Sequence, residues 1–325
     1  MKKSITFSVL AMLWIVSATA DNYYGLEVGY YGYACPQAES IVRWTVFKAL
    51  ERDPTLAPAI IRMHFHDCFV RGCDGSVLID STPGNTAEKD SPANNPSLQG
   101  FELIDEVKAA LESVCPEVVS CADIIAFAAR DCSYQAGNIF WEVPAGRRDG
   151  RISSNNSIPG NLPPPSFNVK QLTDIFMQKG LSQEEMVILS GAHSIGVSHC
   201  SSFSDRLYNF ANTGAGDPTL DAQLAQQLKL TCPVTPPPDP IVPMETVSPS
   251  TLDNVYYTEL LKNRGLFTSD HTLLTNPPTL KVVEISSSYP SIWKTKFAKA
   301  MVKMGTTEVL TGSQGEIRKN CRIVN

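Results

Sequence analysis

Beyond its first twenty residues the sequence contains no apolar run of the about 18–20 residues that a membrane-spanning helix needs, which excludes an integral membrane protein of helical type. Basic excess is missing too: 27 Lys and Arg face 33 Asp and Glu, so a nucleic acid would find no complementary surface. No two of the nine cysteines have the CxxC spacing typical of zinc sites. Internal repeats at solenoid periods are absent, as is the ligand spacing of an EF-hand.

What is present begins with an export signal. Lys2 and Lys3 precede an apolar run from Ile5 to Val16, and Ala18-Thr19-Ala20 offers a small-residue cleavage site, so residues 1–20 read as a signal peptide and the mature chain starts near Asp21. Losing those two lysines moves the net charge from −6 to −8. About 305 residues remain, enough for one large domain over 21–325 or two lobes sharing a core. An exported chain should hold most of its thiols as disulfides, and an odd number leaves one free. Eight paired cysteines allow about a hundred connectivities, which arithmetic does not resolve.

Apolar residues recur near a 3.6 period over 38–50, 57–68, 100–114, 120–136, 168–179, 182–191, 200–209, 221–231, 253–264, 280–288 and 292–304. Ser182 with Glu185 forms a capping box, Ser120 precedes an Asp-containing first turn, and Gly265 is a stop signal. Pro163-Pro164-Pro165 and Pro236-Pro237-Pro238 should be extended surface breaks. The fold class predicted is mainly α, with little sheet. Asn155-Asn156-Ser157 is an N-glycosylation sequon in a polar loop.

The densest chemistry lies in Ile61-Arg62-Met63-His64-Phe65-His66-Asp67-Cys68-Phe69. On a helix Arg62 and His66, four apart, share a face, while His64 points elsewhere. A fixed cation beside an imidazole can move a proton between two oxygens and stabilise the charge that develops. Just downstream, Asp67, Asp74 and Ser76 interleave with Gly72 and Gly75 in the tight loop from Cys68 to Cys73 and beyond. Hard oxygen donors on a bent loop suit Ca²⁺, although a solvated acidic turn has the same composition. In Leu189-Ser190-Gly191-Ala192-His193-Ser194-Ile195-Gly196 a histidine ends a helix, and its small neighbours would let a flat cofactor approach the backbone. Such an imidazole can be an axial ligand of haem iron or a packed capping residue. Without a CxxCH, any haem would be bound non-covalently.

Two competing readings differ in class. A metal hydrolase would use His64 and His66 together, but on a helix they diverge by roughly 200°. A disulfide-rich wall protein that kept the fold without turnover would not need Arg62, His66, Asn94, His193 and Asp270 all intact.

In its ordered blocks RMHFHDCFVRGCDGSVL, TAEKD, NNPSLQGF, VSCADIIAFAARD, GRRDG, LSGAHSIG, DRLYNF, LDNVYY and LTGSQGEIRKNCRIVN, the chain closely resembles the secretory plant (class III) haem peroxidases, from about Tyr30 to Asn325. The resemblance implies a haem-peroxidase fold of ten or more helices in two lobes around haem b. It makes His193 the iron ligand, Asp270 its carboxylate partner, His66 the acid-base residue and Arg62 the assisting cation. Asn94 would orient His66, Glu88 would continue that network, and Pro163 would line the donor entrance. It further implies disulfides Cys35–Cys115, Cys68–Cys73, Cys121–Cys321 and Cys200–Cys232, leaving Cys132 as a buried, inert thiol. Two calcium ions are implied. The distal one would take Asp67, Asp74 and Ser76 with the carbonyls of Asp67, Val70 and Gly72; the proximal one would take Ser194, Glu245, Ser248, Thr251 and Asp253. At the proximal site the family usually has Thr at the first position and Asp where this chain has Glu245, whose extra methylene changes its reach. Expected partners are hydrogen peroxide and small phenolic donors, including lignin precursors, with no nucleic acid and no membrane. The expected form is a monomer, secreted to the cell wall or delivered to the vacuole.

Overall fold

In the computed structural model residues 25–234 and 237–325 are described. The expected signal peptide and mature start at Asp21, with Pro236, lie outside them. Twelve α-helices span the described residues: α1 (Ala38–Arg52), α2 (Leu56–Val70), α3 (Phe101–Val114), α4 (Cys121–Gly137), α5 (Val169–Gln178), α6 (Gln183–Ser190), α7 (Ser204–Tyr208), α8 (Ala222–Thr231), α9 (Val255–Leu260), α10 (Thr268–His271), α11 (Pro277–Ser288) and α12 (Pro290–Met304). Sheet is confined to two antiparallel pairs. β1 (Glu27–Val28) pairs with β2 (Pro144–Ala145), and β3 (Val197–His199) with β4 (Ile241–Pro243).

The first half of the chain organises around α4. Ser120 Oγ caps its start by accepting from Asp123 N at 3.1 Å. Every residue from Cys121 to Ser133 is buried, as expected for a helix apolar on nearly all sides, with α1, α2 and α3 packed about it. The charges it carries inward are matched. Asp123 meets Arg147 Nη1 at 2.7 Å, and Arg130 reaches Asp131 at 2.6 Å and Glu39 at 3.0 Å.

The second half packs α5, α11 and α12 against α6, with α9 on α11. The capping box at Ser182 and Glu185 starts α6, and a second one, Asn168 with Gln171, starts α5. Phe176 of α5 joins the halves, with ring centroids 6.2 Å from Phe65 and 4.8 Å from Phe69 of α2. One continuous apolar core runs through both halves. A smaller core around Phe203, Leu224 and Leu266 sits beside it, stapled by Cys200–Cys232.

Two expected helices are shorter than their periodicity suggested. Over 200–209 the chain breaks at Phe203, because Ser201 N and Oγ both bond Asp239 and Cys200 N bonds Pro240 O, which pins the first turn to a distant segment. Over 253–264 the helix starts only at Val255, since Asp253 N is held by Ser194 Oγ, and by Asn263 the backbone has reached φ 59°.

The C-terminal segment returns to the first half. Cys321 is bonded to Cys121, and the buried Arg318 donates to Gly75 O at 2.6 Å and Cys321 O at 2.8 Å. Asp149 joins the two regions: it accepts from Cys121 N and Ala122 N at the head of α4 and from Arg318 N.

Candidate active site

Helical spacing on α2 brings Arg62 and His66 together. Arg62 Nε donates to His66 Nε2 at 3.1 Å, and its other nitrogens are held by Ser97 O at 2.8 Å, Ser97 Oγ at 3.0 Å and Ala93 O at 3.1 Å. Asn94 Oδ1 lies 2.6 Å from His66 Nδ1. Since Nε2 accepts from arginine, the network assigns the ring proton to Nδ1, donated to Asn94. Burial, then the nearby Arg62, push His66 well below the usual imidazole range, against an opposing push from Asn94. His66 is thereby a neutral base with its lone pair on Nε2. Burial also lowers Arg62, to about 10, which leaves it a cation at neutral pH.

The other α2 histidine has different company. His64 is buried with Nδ1 3.6 Å from Cys68 Sγ, and burial followed by Arg147 pushes it down to about 3. It packs in the core and does not converge with His66.

Glu88 continues the His66 network through its main chain. Asn94 Nδ2 donates to the main-chain oxygen of Glu88 at 2.8 Å, while the Glu88 carboxylate faces the acidic loop, accepting from Ser76 Oγ at 3.4 Å. Its Oε1 is buried without a hydrogen-bond partner. Nearby, Asp67 accepts from Gly75 N at 3.0 Å and Val77 N at 3.4 Å, and Asp74 from Ser76 N at 2.9 Å. Burial is the first cause, and mutual repulsion a further one, that raises Asp67 well above the usual carboxylate range and Glu88 to about 8; burial alone lifts Asp74 to about 6. Such crowding is relieved by a cation. The loop bends at Gly72, φ 90°, where a Cβ would stand 2.3 Å from Glu308 O; its carbonyl accepts from Asp74 N at 2.8 Å, and Val70 closes α2 beside it.

On the opposite segment α6 ends at Ser190 and His193 follows in a 3₁₀ turn. Asp270 of α10 accepts from His193 Nδ1 at 2.8 Å, leaving Nε2 as the atom able to bind a metal. Rings of Tyr256 and Phe267 stand edge-on to His193 at 5.9 and 5.4 Å. Burial works to raise the Asp270 carboxyl, but the His193 partnership and the Phe267 N–H and Tyr256 hydroxyl bonds hold it below the ordinary value. Gly191 also has a packing role. A Cβ there would meet Trp293 Nε1 and Tyr257 Oη at 2.7 Å, so its bareness admits the core aromatics. After it, Gly196 packs against Pro58 of α2, joining the His193 segment to the helix that carries Arg62 and His66.

Near His193, Ser194 Oγ accepts from Asp253 N at 3.2 Å, and Thr251 N bonds Ser248 O at 2.9 Å. Glu245 turns both carboxylate oxygens onto the backbone N–H groups of Val247 and Ser248, so its longer side chain caps this turn. Ser248 Oγ is buried and unpartnered. Among the described residues no three His, Cys, Asp or Glu side chains cluster closely enough to hold a metal by themselves. A cation at either loop would therefore need hydroxyl and carbonyl oxygens beside the carboxylates, a donor set that suits Ca²⁺.

Disulfides join Cys35 to Cys115, Cys68 to Cys73, Cys121 to Cys321 and Cys200 to Cys232; Cys132 is free and buried, and burial pushes its thiol up. Pro163 lies half-buried in an extended stretch, and Pro165 O ties that stretch to Ser269 beside Asp270 at 2.9 Å. Asn155 begins a short 3₁₀ turn and bonds Thr86 O through its backbone. No spacing or composition marks Tyr256, Ala93 or Ser97 in the sequence; Tyr256 and Ser97 fall within the LDNVYY and NNPSLQGF blocks, and Ala93 lies just before the latter.

A family profile described as Peroxidase matches residues 42–288. Peroxidase 5 of Vitis vinifera is 60% identical over 301 residues, 92% of each chain. Peroxidase 3 of Arabidopsis thaliana is 50% identical over 324 residues, 99% of this chain and 98% of its own, and Peroxidase 2 of Zea mays is 48% identical over 331 residues, 100% and 97%. With the mainly helical architecture, these matches place the chain in the peroxidase family, within its plant class III branch, as an enzyme.

Proposed function

We propose that this peroxidase reduces hydrogen peroxide to water at a haem b held by His193 and oxidises small phenolic donors, lignin precursors among them, in one-electron steps. The observation that carries the reading is the His66 arrangement: a neutral imidazole whose Nδ1 proton is committed to Asn94 and whose Nε2 lone pair sits beside a guanidinium. His66 Nε2 takes the proton from one peroxide oxygen and returns it to the other, which leaves as water, while Arg62 stabilises the negative charge that develops. The chemistry supplied by bound haem is electron transfer, two electrons to the O–O bond and one at a time back from donors. Asp270 keeps His193 oriented and its Nε2 directed outward.

Around this centre the reading includes a distal Ca²⁺ on Asp67, Val70, Gly72, Asp74 and Ser76, supported by the crowded carboxylates there. A proximal Ca²⁺ on Ser194, Glu245, Ser248, Thr251 and Asp253 is supported by the unpartnered Ser248 hydroxyl. Residues 1–20 act as the export signal and 21–325 as one catalytic domain, working as a glycosylated monomer in the wall or vacuole, with the glycan on Asn155 and donors entering past Pro163.

His66→Ala should lower the rate of reaction with peroxide by about 10²–10⁴-fold while haem stays bound. Near-normal turnover in that variant would refute the acid-base assignment. A donor panel of monolignols against simple phenols tests the substrate class, and failure to oxidise any phenol removes it.

A further inference from the structure

Asp270 serves three donors. Its Oδ1 accepts from His193 Nδ1 and from the Tyr256 hydroxyl, both at 2.8 Å, and Oδ2 accepts from Phe267 N at 2.9 Å. Tyr256 is 2% exposed, wedged edge-on between His193 and Tyr257, so its hydroxyl has a fixed direction and little access to water. Donors that share one carboxylate oxygen compete for its electron density, and each hydrogen bond to an anion makes that anion a weaker acceptor for the next. With Tyr256 in place, Asp270 pulls less on the His193 N–H than a carboxylate reserved for the imidazole would.

We infer that Tyr256 is a positioning residue that limits how strongly Asp270 draws on His193 and so sets how much electron density His193 Nε2 gives to iron. The inference rests on His193 being the haem ligand. Tyr257 supplies an internal control. It is the same residue type, one position along α9 and equally buried, but its hydroxyl goes to the carbonyls of Val187 at 2.8 Å and Ile188 at 3.0 Å and never touches Asp270.

The test uses the haem-loaded, calcium-replete protein. Tyr256→Phe keeps the ring and deletes the donor, so the ferric/ferrous midpoint potential should move to a more negative value and the iron–histidine stretch of the reduced protein should rise in frequency. Tyr257→Phe should leave both unmoved. Ring-fluorinated tyrosine at position 256, a stronger donor of nearly the same shape, should shift the potential the opposite way, and it carries the test if Tyr256→Phe fails to load haem. An unchanged potential and stretch in Tyr256→Phe, or shifts of the same sign from the phenylalanine and the fluorotyrosine, overturn the inference. A wild-type protein whose haem spectrum does not depend on His193 removes the parent reading as well; a normal wild-type spectrum with an unmoved potential removes only the role of Tyr256.

Discussion

Replacing Asp123 by alanine should cost this protein a large part of its stability. The carboxylate is fully buried and accepts from the Tyr31 hydroxyl at 2.7 Å, Gly146 N at 2.7 Å, Arg147 N at 3.3 Å and Arg147 Nη1 at 2.7 Å. After its removal Arg147 would keep its carbonyl partners Pro144 and Gly305 but would be a buried cation without a counter-charge. Breaking such a pair from one side costs about 3–5 kcal/mol, against a total of about 5–15 kcal/mol for a typical domain. At about 2–3 °C per kcal/mol for a chain of this size, Tm should fall by about 10 °C. Equilibrium unfolding in urea, with haem, calcium and disulfides held constant, measures it. The double variant Asp123→Leu with Arg147→Met should recover part of the loss, because two apolar groups leave no buried charge uncompensated. A single variant within about 1 kcal/mol of wild type, or a double variant worse than the two singles combined, would refute the electrostatic account.

Acid should destabilise the fold through His64. The unfolded chain binds a proton below the ordinary histidine value of 6.5 whereas the native state resists until about 3, so stability falls as pH drops across that window, by up to about 1.4 kcal/mol per pH unit. Unfolding free energies of wild type and His64→Leu at pH 7 and pH 5 should diverge on the acid side, and parallel curves would count against the assignment. Chelating calcium should lower Tm by several degrees, and Glu88→Gln, which removes the charge of a carboxylate whose Oε1 has no partner, should shrink that response; thermal scans with and without chelator read both, and an equal response in the variant contradicts the crowded-carboxylate account.

Much of the helical framework is written in local pattern. Ser120 and Ser182 cap the helices they precede, and the four-residue spacing of Arg62 and His66 places both on one face because helix geometry demands it. Features that depend on distant partners are not local. The break at Phe203 comes from Asp239, and the late start of α9 comes from Ser194. Asp270 is 77 positions from His193, so only the family resemblance pointed to that pair, and nothing in the spacing reveals that Tyr256 shares its oxygen. Gly191 shows a related gap. A missing side chain declares free space without saying which neighbour occupies it, and here it is Trp293 and Tyr257.

The strap made by Arg318 and Cys321 sets an order on biogenesis. The head of α4 and the bend at Gly75 are completed by residues translated some 200 positions after Cys121, so a ribosome must nearly finish its work before the earliest-made half can close. Until then that half waits with an open thiol at Cys121 and with Asp149 lacking the bond from Arg318 N. A nonsense mutation ahead of position 318 would thus undo the opposite end of the molecule.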